Sequence, residues 1–210
     1  MTESTEAIRT AAATVIAEID RRRSVRGRPL VVALDGPSGS GKSTLVAQVA
    51  RELDTAVIAT DDFYAFETTD DQWNARTPEE RARDCIDWHR LRDEALVPLI
   101  AGLPARWQTY DFEAGGRSDG TYAARANFVE LDPAPVIVLD GVYSARPELA
   151  DVIDLMILVD APREVRRQRL ASREAREHLE RWYARWGAAE TFYFAHVRPE
   201  DAFDLVIGTQ

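Results

Sequence analysis

Five short runs of consecutive apolar, largely β-branched residues constrain this chain more than anything else in it: Leu30–Leu34, Ala56–Ala59, Val136–Leu139, Leu155–Val159 and Leu205–Ile207. They are continuous rather than alternating in polarity. Strands buried on both faces look like this, and in a water-soluble domain that means a mainly parallel sheet with helices on each side. The segments between the runs supply those helices. Residues 4–23 carry Ile8, Val15, Ile16 and Ile19 at mostly helical spacing, and the segment after Lys42 places Leu45, Val46, Val49 and Leu53 on one face. The stretch Pro78–Ala101 mixes charges with Ile86, Leu91, Leu96, Val97, Leu99 and Ile100 and predicts a second long helix, kinked or opened by Pro98. Residues 104–134, with Gly115, Gly116 and Gly120, predict a loop or short-strand excursion over one end of the sheet. The arginine-rich 162–185 predicts one long helix, or a helix and a lid.

At 210 residues a single domain is expected, large enough to support its core without a disulfide or structural metal. The single cysteine, Cys85, and three scattered histidines agree, and a reducing cytoplasm is the expectation. A formal charge of −10 argues against a nucleic-acid binder, because phosphate neutralisation needs a basic surface. Neither a signal segment nor a membrane span is predicted, and homo-oligomerisation is left open.

The strongest chemical signal is Gly36-Pro37-Ser38-Gly39-Ser40-Gly41-Lys42-Ser43, which fits the phosphate-loop pattern and lies between a predicted strand and a predicted helix. Glycines let successive amides turn toward an anion, and the helix amino terminus adds its partial positive charge. Lys42 reaches the terminal phosphates and the Ser43 hydroxyl suits magnesium. Gly36, Ser38, Gly39, Ser40, Gly41, Lys42, Ser43 and Thr44 are therefore the candidate ATP-binding residues. Lys42 is also the only lysine among 26 basic residues, all the others being arginine. A glycine-rich turn that merely caps a helix is the competing reading. A dinucleotide fingerprint is excluded because Thr44 stands where its third glycine should be.

Asp61 and Asp62 follow the second strand, at the carboxyl end where open α/β sheets bind ligands. A carboxylate there could take a proton from an acceptor hydroxyl or help to hold magnesium, while Asp62 could equally cap a helix. Asp140, after the third strand, suits a metal-facing role. Asp160 has the same local look, but the Ala-Pro after it favours a helix start.

Together with Asp61-Asp62-Phe63-Tyr64, Tyr110-Asp111-Phe112, Leu139-Asp140-Gly141-Val142 and Val159-Asp160 followed by arginines, the phosphate loop makes the chain from about residue 30 onward resemble the uridine kinase family. The resemblance implies a three-layer α/β phosphate-loop NTPase fold with a mainly parallel five-stranded sheet. Residues 1–28 would form a helix and basic linker ahead of a kinase core, 30–210. It implies ATP and Mg2+ as cofactors and a small-molecule hydroxyl acceptor, the 5′-hydroxyl of uridine or cytidine in the first place. Asp61 would be the base and a member of the magnesium shell with Ser43 and Asp140, and Tyr64 would lie beside the acceptor. Asp87 would bind the ribose hydroxyls, or else cap a helix. Tyr110 and Phe112 would flank the base, with core packing as the competing reading. Arg166, Arg169 and Arg173 would contact the acceptor or neutralise the transferring phosphoryl group, Lys42 and Arg169 being the catalytic cations. The chain departs from the family pattern at Gly115, where members carry a pyrimidine-reading histidine, and at Glu177-His178-Leu179-Glu180, where the family lid continues into Arg-Gly-Arg. Pantothenate, a sugar phosphate or nicotinamide riboside are the alternative acceptors, and an ATP-dependent switch protein is the alternative outside metabolism.

Overall fold

The five apolar runs become the strands of one parallel sheet. In the computed structural model, which describes residues 3–24, 27–112, 117–172, 180 and 183–209, β1 (Leu30–Asp35) is followed by β2 (Thr55–Ala59). Next come a separate antiparallel ribbon of β3 (Ala105–Tyr110) and β4 (Ala124–Leu131), and then β5 (Val136–Asp140), β6 (Leu155–Asp160) and β7 (Leu205–Gly208). The sheet order is β2-β5-β1-β6-β7. Every residue of β1 is buried, because both its edges are paired and both its faces are covered. Leu30, Val32 and Leu34 face a core with Val15 and Ile19 of α1 (Glu3–Arg23) and Leu45 and Val49 of α2 (Lys42–Glu52). Val31 and Ala33 face the opposite core, with Phe63, Leu91, Leu99 and Trp107. This two-faced burial is why the runs carry no polar alternation.

Several boundaries differ from the sequence reading. α1 is not among them, ending at Arg23 where the spacing over residues 4–23 places its end. Arg22 and Arg28 tie the start of the domain to the sheet, Arg22 to Asp204 at 3.0 Å and Arg28 to both Asp154 oxygens at 2.8 and 2.9 Å.

The segment Pro78–Ala101 is two helices rather than one. α3 (Asp70–Ala75) and α4 (Pro78–Asp84) each begin with a capping box, from Thr69 with Gln72 and from Thr77 with Glu80. After α4 the chain opens at Ile86 to bridge Tyr64, and Asp87 then caps α5 (88–100). Arg146, itself buried, donates to the carbonyls of Arg83 and Ile86 at 2.7 and 3.2 Å, which keeps this break satisfied. Pro98 has its expected effect: α5 widens into a π-helical stretch, Leu91–Leu96, just before it.

The excursion at 104–134 is the β3–β4 ribbon. The helix expected at 162–185 is described as α6 (Arg163–Ala171), and residues 173–179 and 181–182 lie outside the described residues. Asp160 ends β6 without starting that helix, whose N-cap is Pro162. A further helical segment, α7 (183–197), was not foreseen. Its α-helical middle, Ala188–Phe192, lies between π-turns at Tyr183–Gly187 and Tyr193–Val197. Among the described residues no helix is long and apolar enough to cross a membrane.

Candidate active site

The order β2-β5-β1-β6-β7 puts β1 in the middle, with connections leaving to either side, so a crevice forms outside its carboxyl end. The glycine loop lies there, between β1 and α2. Gly36 has φ 148°, and a Cβ on it would stand 2.1 Å from the Val159 carbonyl oxygen, so only glycine lets the chain leave β1 this close to β6. Gly41 is the N-cap of α2 and, among the described residues, no side chain caps that first turn. The amides of Lys42, Ser43 and Thr44 thus point out of a helix start with the polarity that suits an anion.

Lys42 is buried, and its ammonium donates to the carbonyls of Gly36 at 2.7 Å and Pro37 at 3.2 Å. The far side of the loop is held by Arg169, whose Nη1 donates to the carbonyls of Gly39 and Ser40, both at 3.2 Å, and to Thr209 Oγ1 at 3.1 Å. Its Nη2 donates to the Thr209 carbonyl at 3.0 Å. Arg169 therefore braces the loop against the chain after β7, with four carbonyl and hydroxyl oxygens around its guanidinium. Arg166 donates Nε to the Ala161 carbonyl at 3.0 Å and borders the Ser38 side of the loop. Arg173 lies outside the described residues, as does Gly115.

Beneath the loop, Asp35 is fully buried and satisfied. Its carboxylate accepts from the amides of Gly36, Tyr143 and Ala145 at 2.7, 2.9 and 3.0 Å and from the Tyr193 hydroxyl at 2.8 Å. Burial pushes this carboxyl up, while those donors and Lys42 oppose it. One side chain thus joins the phosphate loop, the turn after β5 and α7.

Asp61 lies in the turn Thr60–Phe63 after β2, open to water but hemmed in by protein. Loss of bulk solvation in the cleft pushes its pKa from 3.8 to about 6, Lys42 opposing the shift and Asp140, Asp62 and Glu190 adding to it. Asp140 ends β5 against the Ser43 hydroxyl, and burial raises its carboxyl too. Its Oδ1 is buried with no hydrogen-bond partner among the described residues. Asp62 turns away and accepts from Trp107 Nε1 at 2.8 Å, fastening the β3–β4 ribbon rather than capping a helix.

Tyr64 begins an aromatic wall. Its ring centroid lies 5.8 Å from Tyr110, 5.6 Å from Phe112 and 6.1 Å from Trp186, and Trp186 stands 5.2 Å from Trp73. Phe112 is 61% exposed, so it is not a core residue and presents a free face. Burial and the nearby Asp61 push the Tyr64 phenol well up, keeping it a neutral hydrogen-bond donor. Asp87 sits directly behind this turn, its amide donating to the Phe63 carbonyl at 2.8 Å. Its Oδ1 accepts from the Arg90 amide at 3.1 Å, so the capping reading of this residue is realised.

The structure thus gathers Lys42, Ser43, Asp61, Asp140 and Tyr64, with Tyr110 and Phe112 alongside. Sequence reasoning missed Asp35, Trp186, Glu190 and Tyr193. Asp35 had a signal, a carboxylate ending a wholly apolar strand, whereas the three residues of α7 had none before that segment was known to pack on the loop. A cavity of about 1100 Å³ also opens beside the loop between α6 and α7, bordered by Ser38, Arg166 and Glu190, and it does not include Asp61 or the aromatic wall.

These features define a phosphate-loop ATPase domain, and the family model for the AAA ATPase domain matches residues 13–170. The chain is 32% identical to the uridine kinase of Deinococcus deserti, over 71% of this chain and 70% of that protein. It is 28% identical to a uridine kinase of Clostridium botulinum (strain Langeland), over 71% of both chains. The solved structure of a "possible uridine kinase" from Bacillus stearothermophilus shares the fold, with a TM-score of 0.67 and 21% identity, over 98% of this chain and 100% of that one. The chain belongs to the uridine kinase family, and it is a phosphate-loop kinase, a phosphotransferase that binds ATP.

Proposed function

We propose that this kinase transfers the γ-phosphoryl group of ATP to the 5′-hydroxyl of a nucleoside, uridine and cytidine being the acceptors and UMP and CMP the products. The observation that carries this reading is the position of Asp61. A carboxyl whose pKa is about 6 stands between the loop that holds Lys42 and an aromatic wall that begins three residues later at Tyr64. A base poised near working pH suits deprotonation of an alcohol.

The amides at the start of α2 and Lys42, released from its own loop carbonyls, hold the triphosphate. Tyr110 and Phe112 hold the flat base by stacking, Tyr64 lies beside the ribose, and Asp87 offers its uncommitted oxygen to the ribose hydroxyls. Asp61 accepts the 5′-hydroxyl proton as the alcohol oxygen bonds to the γ-phosphorus and the bond from that phosphorus to the β–γ bridging oxygen breaks, releasing ADP. Arg166 and Arg173, on the family's arginine positions, would contact the acceptor or neutralise the transferring phosphoryl group. Arg169 contributes by holding the loop's shape. Positioning and charge stabilisation supply most of the rate in such transfers. The residues fit a magnesium ion: Ser43 and Asp140, whose Oδ1 lacks a partner among the described residues, would hold it together with the nucleotide, and Asp61 borders the same place. When bound, magnesium neutralises triphosphate charge and orients it.

Gly115, where a pyrimidine-reading histidine is expected, favours a second reading in which the same chemistry serves another hydroxyl, such as pantothenate, a sugar phosphate or nicotinamide riboside. ADP release measured with ATP and magnesium against uridine, cytidine, other nucleosides, pantothenate and sugar phosphates separates the two. Stimulation by uridine or cytidine supports the first reading, and stimulation by another acceptor alone supports the second. ADP release that ignores every acceptor contradicts both and points to a nucleotide-dependent switch.

A further inference from the structure

One carboxylate that adds to the charge around Asp61 also makes a contact of its own with the loop. Glu190, from the middle of α7, is only 8% exposed, and its side chain reaches the first half of the phosphate loop. Its Oε2 accepts from the Ser38 amide at 3.1 Å, and its Oε1 accepts from the Ser38 hydroxyl. Lys42 and Arg166 are the cations that act on it, and it faces Asp61, Tyr64 and Tyr143 as well. A buried acid is thus seated on an amide of a loop whose amides exist to hold phosphate oxygens. A hydrophobic or neutral polar residue could pack at this position without drawing on that amide. Lys42 shows the same self-engagement, its ammonium lying on loop carbonyls rather than in open space.

We propose that Glu190 is a built-in anion that competes with nucleotide phosphate for the Ser38 end of the loop, so that nucleotide binding releases Glu190 and shifts α7. The inference rests on Gly36–Ser43 being a triphosphate site. It adds that the affinity of this site is set from outside the loop, by a residue four positions along the helix from Trp186 and three before Tyr193. Trp186 packs on Tyr64 in the aromatic wall, and Tyr193 bonds to Asp35 under the loop. A shift of Glu190 is therefore carried to the acceptor side by the same segment, which couples the two ligand sites in both directions.

The test is titration calorimetry of the full chain with magnesium and a non-hydrolysable ATP analogue. Wild type is compared with Glu190→Gln, which keeps size and an acceptor oxygen but removes the charge, with Glu190→Ala, which empties the position, and with Lys42→Ala. Both Glu190 variants are expected to bind the analogue more tightly, by about tenfold, within the range usual for coupled sites. A residue that merely shaped the loop would give the opposite sign, so equal or weaker binding by Glu190→Gln overturns the proposal, and this decides the matter even where Glu190→Ala does not fold. Lys42→Ala keeps the two ideas apart. Loss of binding there upholds the triphosphate site whatever Glu190 does, and unchanged binding refutes the site itself. For the movement of α7, the analogue should alter tryptophan emission in wild type, and Trp186→Phe should diminish that change, Trp73 at 5.2 Å accounting for what remains. An undiminished change in Trp186→Phe, or its absence from wild type, contradicts the shift.

Discussion

With Asp61 as the proposed base, the pH profile of phosphoryl transfer depends on one carboxyl. An aspartate in water titrates near 3.8, and a base of that kind would stay ionised down to pH 5. Asp61 is instead pushed up to about 6, since the protein packed around its water-exposed side chain limits bulk solvation and Asp140, Asp62 and Glu190 crowd it with like charge against the opposing pull of Lys42. The ionised form is the base, so activity rises with pH through this value and is lost below it. From the ionised fractions, roughly 90% at pH 7 and roughly 10% at pH 5, kcat/KM, which reports the free enzyme, should fall about tenfold over that interval. The assay is the initial rate of ADP formation at sub-saturating ATP and acceptor with magnesium present from pH 4.5 to 8.5, with binding of a non-hydrolysable ATP analogue followed in parallel to remove the nucleotide's own ionisation. Asp62→Asn sharpens the test. Asparagine still offers an oxygen to Trp107 Nε1, but one like charge near Asp61 is gone, so the acid limb should move to lower pH. An acid limb near pH 4 in wild type, or one that Asp62→Asn leaves in place, refutes the reasoning.

Two further outcomes follow from the buried contacts. Asp35→Asn presents an amide to a site where four donors now converge, leaving at least one of them opposed by another donor. Stability should drop by about 1–3 kcal/mol for such a buried mismatch, read as a lower midpoint in urea with an unchanged slope. Asp87→Ala should cost about 0.5–2 kcal/mol as the lost cap of α5 and should also abolish the preference for ribose over deoxyribose acceptors. An unchanged preference leaves Asp87 with its capping role alone.

Much of this fold could be read from residues in order, because the driving pattern is local. β1 is apolar at five consecutive positions since it is covered on both faces, and that shows without knowledge of its neighbours. The phosphate loop is equally local, a few glycines, a lysine and a serine between two elements. What escaped the sequence depends on partners far along the chain. The break at Ile86 is made by its bridge to Tyr64 and by Arg146, 60 residues away, and no helix-breaking residue marks it. α7 is obscured because its π-turns disturb helical spacing, and because Glu190 is buried against a loop more than 150 residues earlier. Arg169 could be singled out among the arginines of its segment, but its direction, toward loop carbonyls and Thr209, is a matter of packing. The candidate base needed both levels. Asp61 could be placed at a strand's carboxyl end from sequence, while its raised pKa comes from carboxylates brought together by β5 and α7.

The central claim is that Asp61 removes the proton from an acceptor hydroxyl, and Asp61→Asn tests it most directly. With uridine as acceptor, single-turnover transfer of the labelled γ-phosphoryl group should fall by about 10²-fold or more, while affinity for the ATP analogue in the presence of magnesium stays within about twofold of wild type. Transfer at the wild-type rate, or a defect confined to nucleotide affinity, would contradict it.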